Sequence, residues 1–332
     1  MRDYSVTWQK ILAQGFTSVN ELLEFLSLPL ELGSTVAEKQ FKTRVPRGFA
    51  ARMQPGNPQD PLLLQVLAVN KELQAVDNYI ADPLAESSAN PLQGLMHKYQ
   101  GRVLLTLTGV CAVNCRYCFR RHFPYQDNNP GRNGWQEVLN YIRQDSTIFE
   151  VILSGGDPLL ANDKILSDFI HQLESIGHIR TIRFHTRIPV VLPERINETL
   201  LSMLADTRLR KVMVLHCNHS QELDDNVQRV CAALRQTGCH LLNQTVLLKG
   251  INDDAETLAN LSERLFSCGV LPYYLHVLDK VMGAAHFDLA EELACAIHLQ
   301  LQRLLPGYLV PRLVREVPGK AHKLWLSEPK IE

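Results

Sequence analysis

The sequence predicts an α/β fold: a partial (β/α)6 barrel, open at one side, preceded by a helical accessory region. Three observations predict it. The length of 332 residues suits one barrel with a helical preface. From Val103 onward, apolar β-rich runs alternate with helical patterns, which is typical of strand–helix units around a parallel sheet. The last four strand intervals are each about 30 residues, the length of one such unit, and a closed barrel would need eight units.

Two regions are expected along the chain. Residues 1–95 form the helical accessory region, with helical stretches at Trp8–Phe16, Val19–Leu28 and Leu62–Leu73 separated by Pro and Gly. Residues 96–332 form the barrel and a C-terminal segment. The candidate strands begin near Val103, Val151, Thr181, Lys211, His240 and Leu271.

Helices between these strands are predicted by spacing. Apolar residues at Trp135, Val138, Leu139 and Ile142 share one helical face, and a longer stripe runs from Leu289 to Leu304. The polar run 252–254 supplies capping oxygens for a helix that follows it.

Composition and charge restrict the function. The chain has 34 Lys plus Arg and 35 Asp plus Glu, a formal net charge of −1, so nothing marks a surface built to bind nucleic acid. With 45% hydrophobic and 21% charged residues it is expected to fold as a globular protein. Met1–Ser5 is followed by no apolar core, and no run approaches the roughly 18 apolar residues of a membrane span. A soluble cytoplasmic protein without membrane contact is expected.

Three of the eight cysteines, Cys111, Cys115 and Cys118, form a CxxxCxxC loop after the first strand. Three thiolates are too few for a four-coordinate structural zinc site unless His122 or another residue adds a ligand. They suit a [4Fe–4S] cluster that leaves one iron open to a small molecule. A zinc loop stays an alternative. The remaining cysteines are expected to be buried small hydrophobes; they are Cys217, Cys231, Cys239, Cys268 and Cys295.

Further polar residues fall late in the predicted strands, where a barrel carries its chemistry. Gly155, Gly156 and Asp157 end the second strand, and His185, His216, Gln244 and Asp279 lie late in four others.

The cysteine spacing, with an aromatic residue before the last Cys and at the exit of the first barrel strand, resembles the radical S-adenosylmethionine (SAM) superfamily. The resemblance implies a TIM-like radical SAM barrel. In that superfamily the open iron of the cluster holds the amino and carboxylate groups of SAM, and SAM is cleaved to a 5′-deoxyadenosyl radical. The segment Ser154, Gly155, Gly156 and Asp157 resembles the family's glycine-rich segment beside the methionine amino group.

Several segments between Tyr99 and Leu324 are similar to a narrower family, lysine 2,3-aminomutase. By this resemblance Arg120 binds the substrate carboxylate, as a guanidinium fork suits a planar carboxylate. Lys98, Tyr99 and Arg102 resemble residues that hold the phosphate of pyridoxal 5′-phosphate (PLP). Three further segments also follow the family; they are 186–190, 216–219 and 244–248. The resemblance places His216 and Gln244 near the adenosyl group.

The family holds PLP as a Schiff base on a lysine that ends a Pro-Gly-rich stretch. Spacing from Pro318 selects Lys323, whereas residues 320–322 depart from the family's glycines and leave Lys320 as a rival. A lysine substrate carries an ammonium that needs carboxylates when desolvated. Asp279 and Glu316 resemble the two acidic residues that hold it, although the family typically has Asp at the second position.

The sequence continues for nine residues after Lys323, and we therefore expect it to lack the cysteine-containing, zinc-binding tail of the catabolic enzymes. It is similar to the short bacterial branch that makes (R)-β-lysine for elongation factor P. The resemblance implies L-lysine as substrate, a reductant protein for the cluster, and an elongation factor P ligase that receives the product. In the implied reaction the radical removes a β-hydrogen from lysine, and nitrogen migrates from Cα to Cβ. A 2,3-aminomutase acting on another amino acid and a non-catalytic iron–sulfur module stay alternatives.

Overall fold

The computed structural model describes residues 7–125, 128 and 131–326. The N-terminal residues Met1–Ser5, on which part of the cytoplasmic expectation rests, lie outside them. None of the described helices combines the length and apolarity that a bilayer crossing needs.

The centre of the described chain is one nine-stranded sheet with strands in sequence order from β1 to β9. Strands β2 to β8 run parallel, and β1 and β9 pair antiparallel at the two edges. The strands are β1 Leu95–Tyr99, β2 Arg102–Thr108, β3 Glu150–Gly155, β4 Thr181–Thr186, β5 Arg210–His216, β6 His240–Val246, β7 Leu271–His276, β8 Arg312–Arg315 and β9 Leu324–Trp325.

Helices precede the sheet and alternate with its parallel strands. The described α-helices are α1 Trp8–Ala13, α2 Val19–Phe25, α3 Thr35–Gln40, α4 Arg47–Ala50, α5 Pro61–Leu64, α6 Gly131–Gln144, α7 Asp163–Glu174, α8 Ile188–Val191, α9 Glu198–Asp206, α10 Asp225–Gln236, α11 Ala255–Ser267 and α12 Glu291–Leu304.

The predicted fold class is confirmed. All six predicted strands are present, as β2 to β7, each beginning within one residue of its predicted start. The parallel strand β8 and the edge strands β1 and β9 extend the sheet beyond the prediction. These three strands have five residues or fewer, and β9 has only two, so none of them shows a clear alternation of apolar and polar residues.

One predicted helix is wrong. The stretch Leu62–Leu73 forms only the short helix α5 and a separate 3-10 turn at Asn70–Leu73. The Gln65 carbonyl, which a continuing helix would use internally, instead accepts the backbone N–H of Arg116 at 2.9 Å. A tertiary hydrogen bond therefore ends the helix.

Side-chain caps begin the helices that follow the strands. Asn162, Asn197, Asp224 and Asp254 each accept a backbone N–H in the first turn of α7, α9, α10 and α11. Of the predicted capping run 252–254, Asp254 is the cap. Asn252 is buried and instead donates to the backbone carbonyls of Asn218 and of Val246 at the end of β6.

The core is shared between the accessory region and the barrel. Buried residues from Phe16 to Ala68 belong to the same apolar cluster as those of β2 to β6. A second cluster joins α11 and α12 to β7 and β8. The division of the chain at residue 95 stays a prediction.

Candidate active site

One cavity of about 1110 Å³ is lined by residues from all nine strands, so the sheet curves around it. Every residue predicted for the site lines this cavity. They are Lys98, Tyr99, Arg102, Cys111, Cys115, Cys118, Arg120, Ser154, Gly155, Gly156, Asp157, His216, Gln244, Asp279, Glu316 and Lys323. The rival Lys320 is exposed and is not among the lining residues.

The three thiols of the cysteine loop are free and partly buried. Burial raises the pKa of Cys111 well above its usual value and raises the pKa of Cys118 to about 11. Three thiols in one loop that lines the cavity are the donor set of an iron–sulfur cluster with one open iron, so the residues present fit that group.

The zinc alternative finds no support in the geometry. Nε2 of His122, the candidate fourth ligand, lies 3.0 Å from the carbonyl oxygen of Met282. Within the described ranges, no three His, Cys, Asp or Glu side chains gather closely enough for a single metal ion. Of the five lone cysteines, four are buried as predicted, whereas Cys295 on α12 is partly exposed.

Backbone contacts from the accessory region hold the cysteine loop. The Arg44 guanidinium donates to the carbonyl of Cys111 at 3.1 Å, and the Arg44 carbonyl accepts the N–H of Asn114 at 3.0 Å. The Arg116 N–H bonds to Gln65, as described above. These hydrogen bonds fix the position of the cysteine loop on the accessory region.

A buried arginine that the sequence analysis left without a role lies against this loop. Nη1 of Arg187 donates to Sγ of Cys115 at 2.7 Å and to the hydroxyl of Tyr117 at 2.9 Å. Its Nη2 donates to Gln65 at 2.6 Å and to the Glu222 carboxylate at 2.8 Å. Segment 186–190 follows the family pattern, but nothing in it identifies these partners, which come from three other parts of the chain.

The glycine pair packs directly on the start of the cysteine loop. Gly155 has a φ of +99°, and a Cβ there would lie 2.6 Å from the Thr106 side chain. A Cβ on Gly156 would lie 2.6 Å from both the backbone nitrogen and oxygen of Val110. Only glycine allows this approach, and it leaves the segment's backbone facing the cavity.

The carboxylate of Asp157 holds the turn in place through hydrogen bonds. Its carboxylate accepts the hydroxyl of Thr186 and the N–H of Arg187, both at 2.7 Å, and the N–H of Leu159 at 3.1 Å. Burial raises its pKa to about 6 despite these donors. Direct contact between Asp157 and SAM stays a prediction.

Histidines line the interior of the barrel in their neutral form. Burial, with the charges of nearby arginines, lowers the pKa of His216 to about 3, and its Nε2 lies 2.8 Å from Nε2 of Gln244. Nε2 of His185 and Nε2 of His276 are buried without a hydrogen-bond partner among the described residues. Both histidines line the cavity, so these buried nitrogens fit a bound molecule that would complete their hydrogen bonds.

Arg120 presents its guanidinium from the cysteine loop, 7% exposed. Its Nε and Nη2 donate to the two oxygens of Glu86 at 2.7 and 2.8 Å, and its Nη1 donates to the Ser154 hydroxyl at 2.9 Å. Glu86 belongs to no recognisable motif, and the sequence analysis missed it.

Glu316 is the centre of a cluster of cations. Nζ of Lys323 donates to it, and Nζ of Lys98 lies 3.3 Å away. Although burial alone would raise the pKa of Glu316, these two ammonium groups lower it to about 2. Burial and Glu316 together raise the pKa of the Tyr99 hydroxyl, and the Arg102 guanidinium lies 4.7 Å from the centre of the Tyr99 ring. The predicted phosphate anchors and the predicted Schiff-base lysine are thus side by side.

Asp279 completes the acidic end of the cavity. Burial, and then repulsion from Glu316, raise the pKa of Asp279 to about 7. The charge of Glu316 makes ionisation of Asp279 costly, and a cation bound beside Asp279 would offset that cost.

Comparison with known proteins agrees with this geometry. Residues 105–261 match the Radical SAM superfamily. With the partial barrel and the three-thiol loop, this match defines a radical SAM enzyme.

Comparison with curated relatives identifies one family within this superfamily. The chain is 47% identical to L-lysine 2,3-aminomutase of Haemophilus influenzae, over 97% of this chain and 96% of that protein. It is 48% identical to L-lysine 2,3-aminomutase of Escherichia coli, over 95% and 93% of the two chains. It is 42% identical to that of Buchnera aphidicola, over 98% and 97%. The chain belongs to the L-lysine 2,3-aminomutase family, among its short bacterial members.

Membership of this family makes the protein an isomerase and assigns it three cofactors: a [4Fe–4S] cluster, SAM and PLP. The residues present fit all three. The cavity offers three thiols in one loop, histidine nitrogens without a partner among the described residues, and the amine of Lys323, which shares the Glu316 carboxylate with Lys98.

Proposed function

We propose that the protein converts L-lysine to (R)-β-lysine by moving the amino group from C2 to C3. One observation carries the proposal: a cavity lined by three cluster-type thiols also contains a buried guanidinium and a pair of carboxylates. These charges match the two ends of a lysine molecule.

Charge complementarity supports lysine over other amino acids. Arg120 is the proposed anchor for the substrate carboxylate, because a guanidinium can bind a second carboxylate through N–H groups that Glu86 and Ser154 leave free. Asp279 and Glu316 are proposed to bind the substrate ammonium. A glutamate side chain would place a third carboxylate beside these two, and repulsion from them disfavours its binding.

Lys323 is the proposed attachment point for PLP. Its amine lines the cavity, whereas that of Lys320 does not. Lys98, Tyr99 and Arg102 are proposed to bind the phosphate through two cations and one hydroxyl group. When bound, PLP supplies a conjugated ring that delocalises an unpaired electron.

The cysteines 111, 115 and 118 are proposed to bind three irons of the cluster, which leaves the fourth for SAM. The backbone of Ser154–Gly156, together with Asp157, is the proposed contact for the methionine part. His216 and Gln244 are proposed to contact the adenosyl part. SAM supplies the hydrogen-abstracting radical when the cluster is reduced, and a cellular reductant protein is the proposed electron source.

A role in translation is the further part of this proposal. Similarity to the short bacterial branch supports a cytoplasmic enzyme whose product passes to a ligase that modifies elongation factor P. Deleting the gene should remove the corresponding mass increment from elongation factor P, and supplying β-lysine should restore it. An unchanged mass in the deletion strain would separate the enzyme from this pathway.

The test of the catalytic proposal is anaerobic incubation of the reconstituted protein with L-lysine, SAM, PLP and dithionite. We expect a product with the mass of lysine and the retention time of β-lysine. A Cys118→Ala variant, prepared in the same way, should yield none. Turnover of arginine or glutamate in place of lysine would overturn the substrate assignment. A protein that binds iron but cleaves no SAM would indicate a non-catalytic module.

A further inference from the structure

Glu86 lies between two cations of the cavity. Its side chain is 4% exposed and forms a two-point ion pair with Arg120, at 2.7 and 2.8 Å. One of its oxygens also lies 3.6 Å from Nζ of Lys98. A single buried carboxylate therefore joins the proposed substrate-carboxylate anchor to a proposed phosphate anchor.

The segment before Glu86 is built to hold it in place. The Glu86 N–H donates to the Asp82 carboxylate at 3.0 Å. Ala85, immediately before it, has a φ of +48° and a ψ of 43°, a left-handed conformation that costs free energy for a residue other than glycine. The Leu84 carbonyl accepts a hydrogen bond from Lys98 at 3.3 Å. An unfavourable backbone conformation persists where surrounding contacts require it. Here the contacts hold Glu86 and Lys98, which both line the cavity.

The geometry leaves Arg120 able to bind a second anion. Glu86 takes Nε–H and one N–H of Nη2, and Ser154 takes one N–H of Nη1. Each terminal nitrogen carries two protons, so one N–H on each is left. Both side chains thus orient the guanidinium without consuming its binding capacity.

We propose that Glu86 is a positioning residue for the substrate carboxylate, acting through Arg120. This inference rests on the proposed lysine-binding function. The buried carboxylate fixes the plane of the guanidinium, which otherwise would rotate about its side-chain bonds. The two free N–H groups then point at the substrate before it binds. The conformational entropy of the long Arg120 side chain is therefore not lost during binding.

The experiment compares two ligands that differ only in the carboxylate. Equilibrium binding of L-lysine and of cadaverine, which is lysine without its carboxylate, is measured on the anaerobic holoenzyme without SAM. For Glu86→Gln we expect lysine to bind about tenfold more weakly, as for the loss of a hydrogen bond between charged groups. Cadaverine affinity and PLP absorbance should stay unchanged. Glu86→Asp keeps the charge on a shorter stem, and we expect it to recover part of the lysine affinity.

A matched control breaks a different ion pair of a buried arginine. Asp163 pairs with Arg195 at 2.6 Å, and neither lines the cavity. Asp163→Asn should leave the ratio of lysine to cadaverine affinity unchanged.

Three results would overturn the role of Glu86: equal weakening of both ligands in Glu86→Gln, no change, or tighter binding of lysine. Should Glu86→Gln fail to fold, the same comparison on Glu86→Asp decides. Absence of lysine turnover by the unaltered enzyme would count against the proposed function instead, so the two failures are distinguishable.

Discussion

Nζ of Lys323 donates a hydrogen bond to the carboxylate of Glu316. The lysine proposed to carry PLP therefore rests on a carboxylate proposed to receive the ammonium of the substrate. Covalent attachment of PLP would leave at most one N–H on this nitrogen, so the Glu316 carboxylate would keep acceptor capacity for the ammonium of the substrate.

Replacing Lys323 tests which lysine holds PLP. Lys323→Ala should lose the visible absorbance of covalently bound PLP, because no other amine of the proposed pair lines the cavity. Absorbance spectra before and after borohydride reduction provide the measurement. Lys320→Ala is the control and should keep the wild-type spectrum. Retained absorbance in the first variant, with loss in the second, would reverse the assignment.

Lysine binding should depend on the ionisation of Asp279. Because burial and Glu316 raise its pKa to about 7, this carboxyl is mostly neutral below that pH and charged above it. Only the charged form attracts an ammonium, so the KM for lysine should fall as pH rises through about 7, by up to about tenfold per pH unit below it. Initial rates at several lysine concentrations across this range measure the effect. Asp279→Asn should raise KM and flatten its pH dependence; an unchanged profile would show that another group is responsible.

Loss of the buried Arg187 should destabilise the protein through the partner that remains. Arg187→Met leaves Glu222 buried without its counter-ion, at an expected cost of about 3–5 kcal/mol in the free energy of unfolding. Urea unfolding of the metal-free protein under reducing conditions measures it. The double variant Arg187→Met with Glu222→Gln should recover part of this loss. A double variant no more stable than the single one would show that the ion pair is not the source.

The close approach of Gly156 to Val110 should be required for cluster assembly. In Gly156→Ala the added Cβ would meet the Val110 backbone at 2.6 Å, so the chain must shift just before Cys111. We expect less iron bound per chain after reconstitution than in the wild type. Gly177→Ala, where a Cβ meets nothing within 4 Å, is the control. Equal iron content in both variants would contradict the prediction.

Local sequence patterns predicted those elements whose formation depends on a single stretch of the chain. Apolar runs predicted β2 to β7 to within a residue, because each strand buries its own side chains in the sheet. The helix expected at Leu62–Leu73 failed because the carbonyl of Gln65 is taken by the cysteine loop. The hydrogen bond between Arg116 and Gln65 joins residues 51 positions apart, so no local sequence pattern predicts it.

The amino-acid sequence by itself determined the parallel sheet, the three-thiol loop and, through resemblance, the residues that line the cavity. These features depend on residue type and short spacing. Only the tertiary structure decided that Arg187 bonds to Cys115, that Glu86 holds Arg120, and that Lys323 rather than Lys320 reaches the cavity. The physical reason is that the free energy of a buried charge depends on its partners in space, and folding brings those partners from distant parts of the chain.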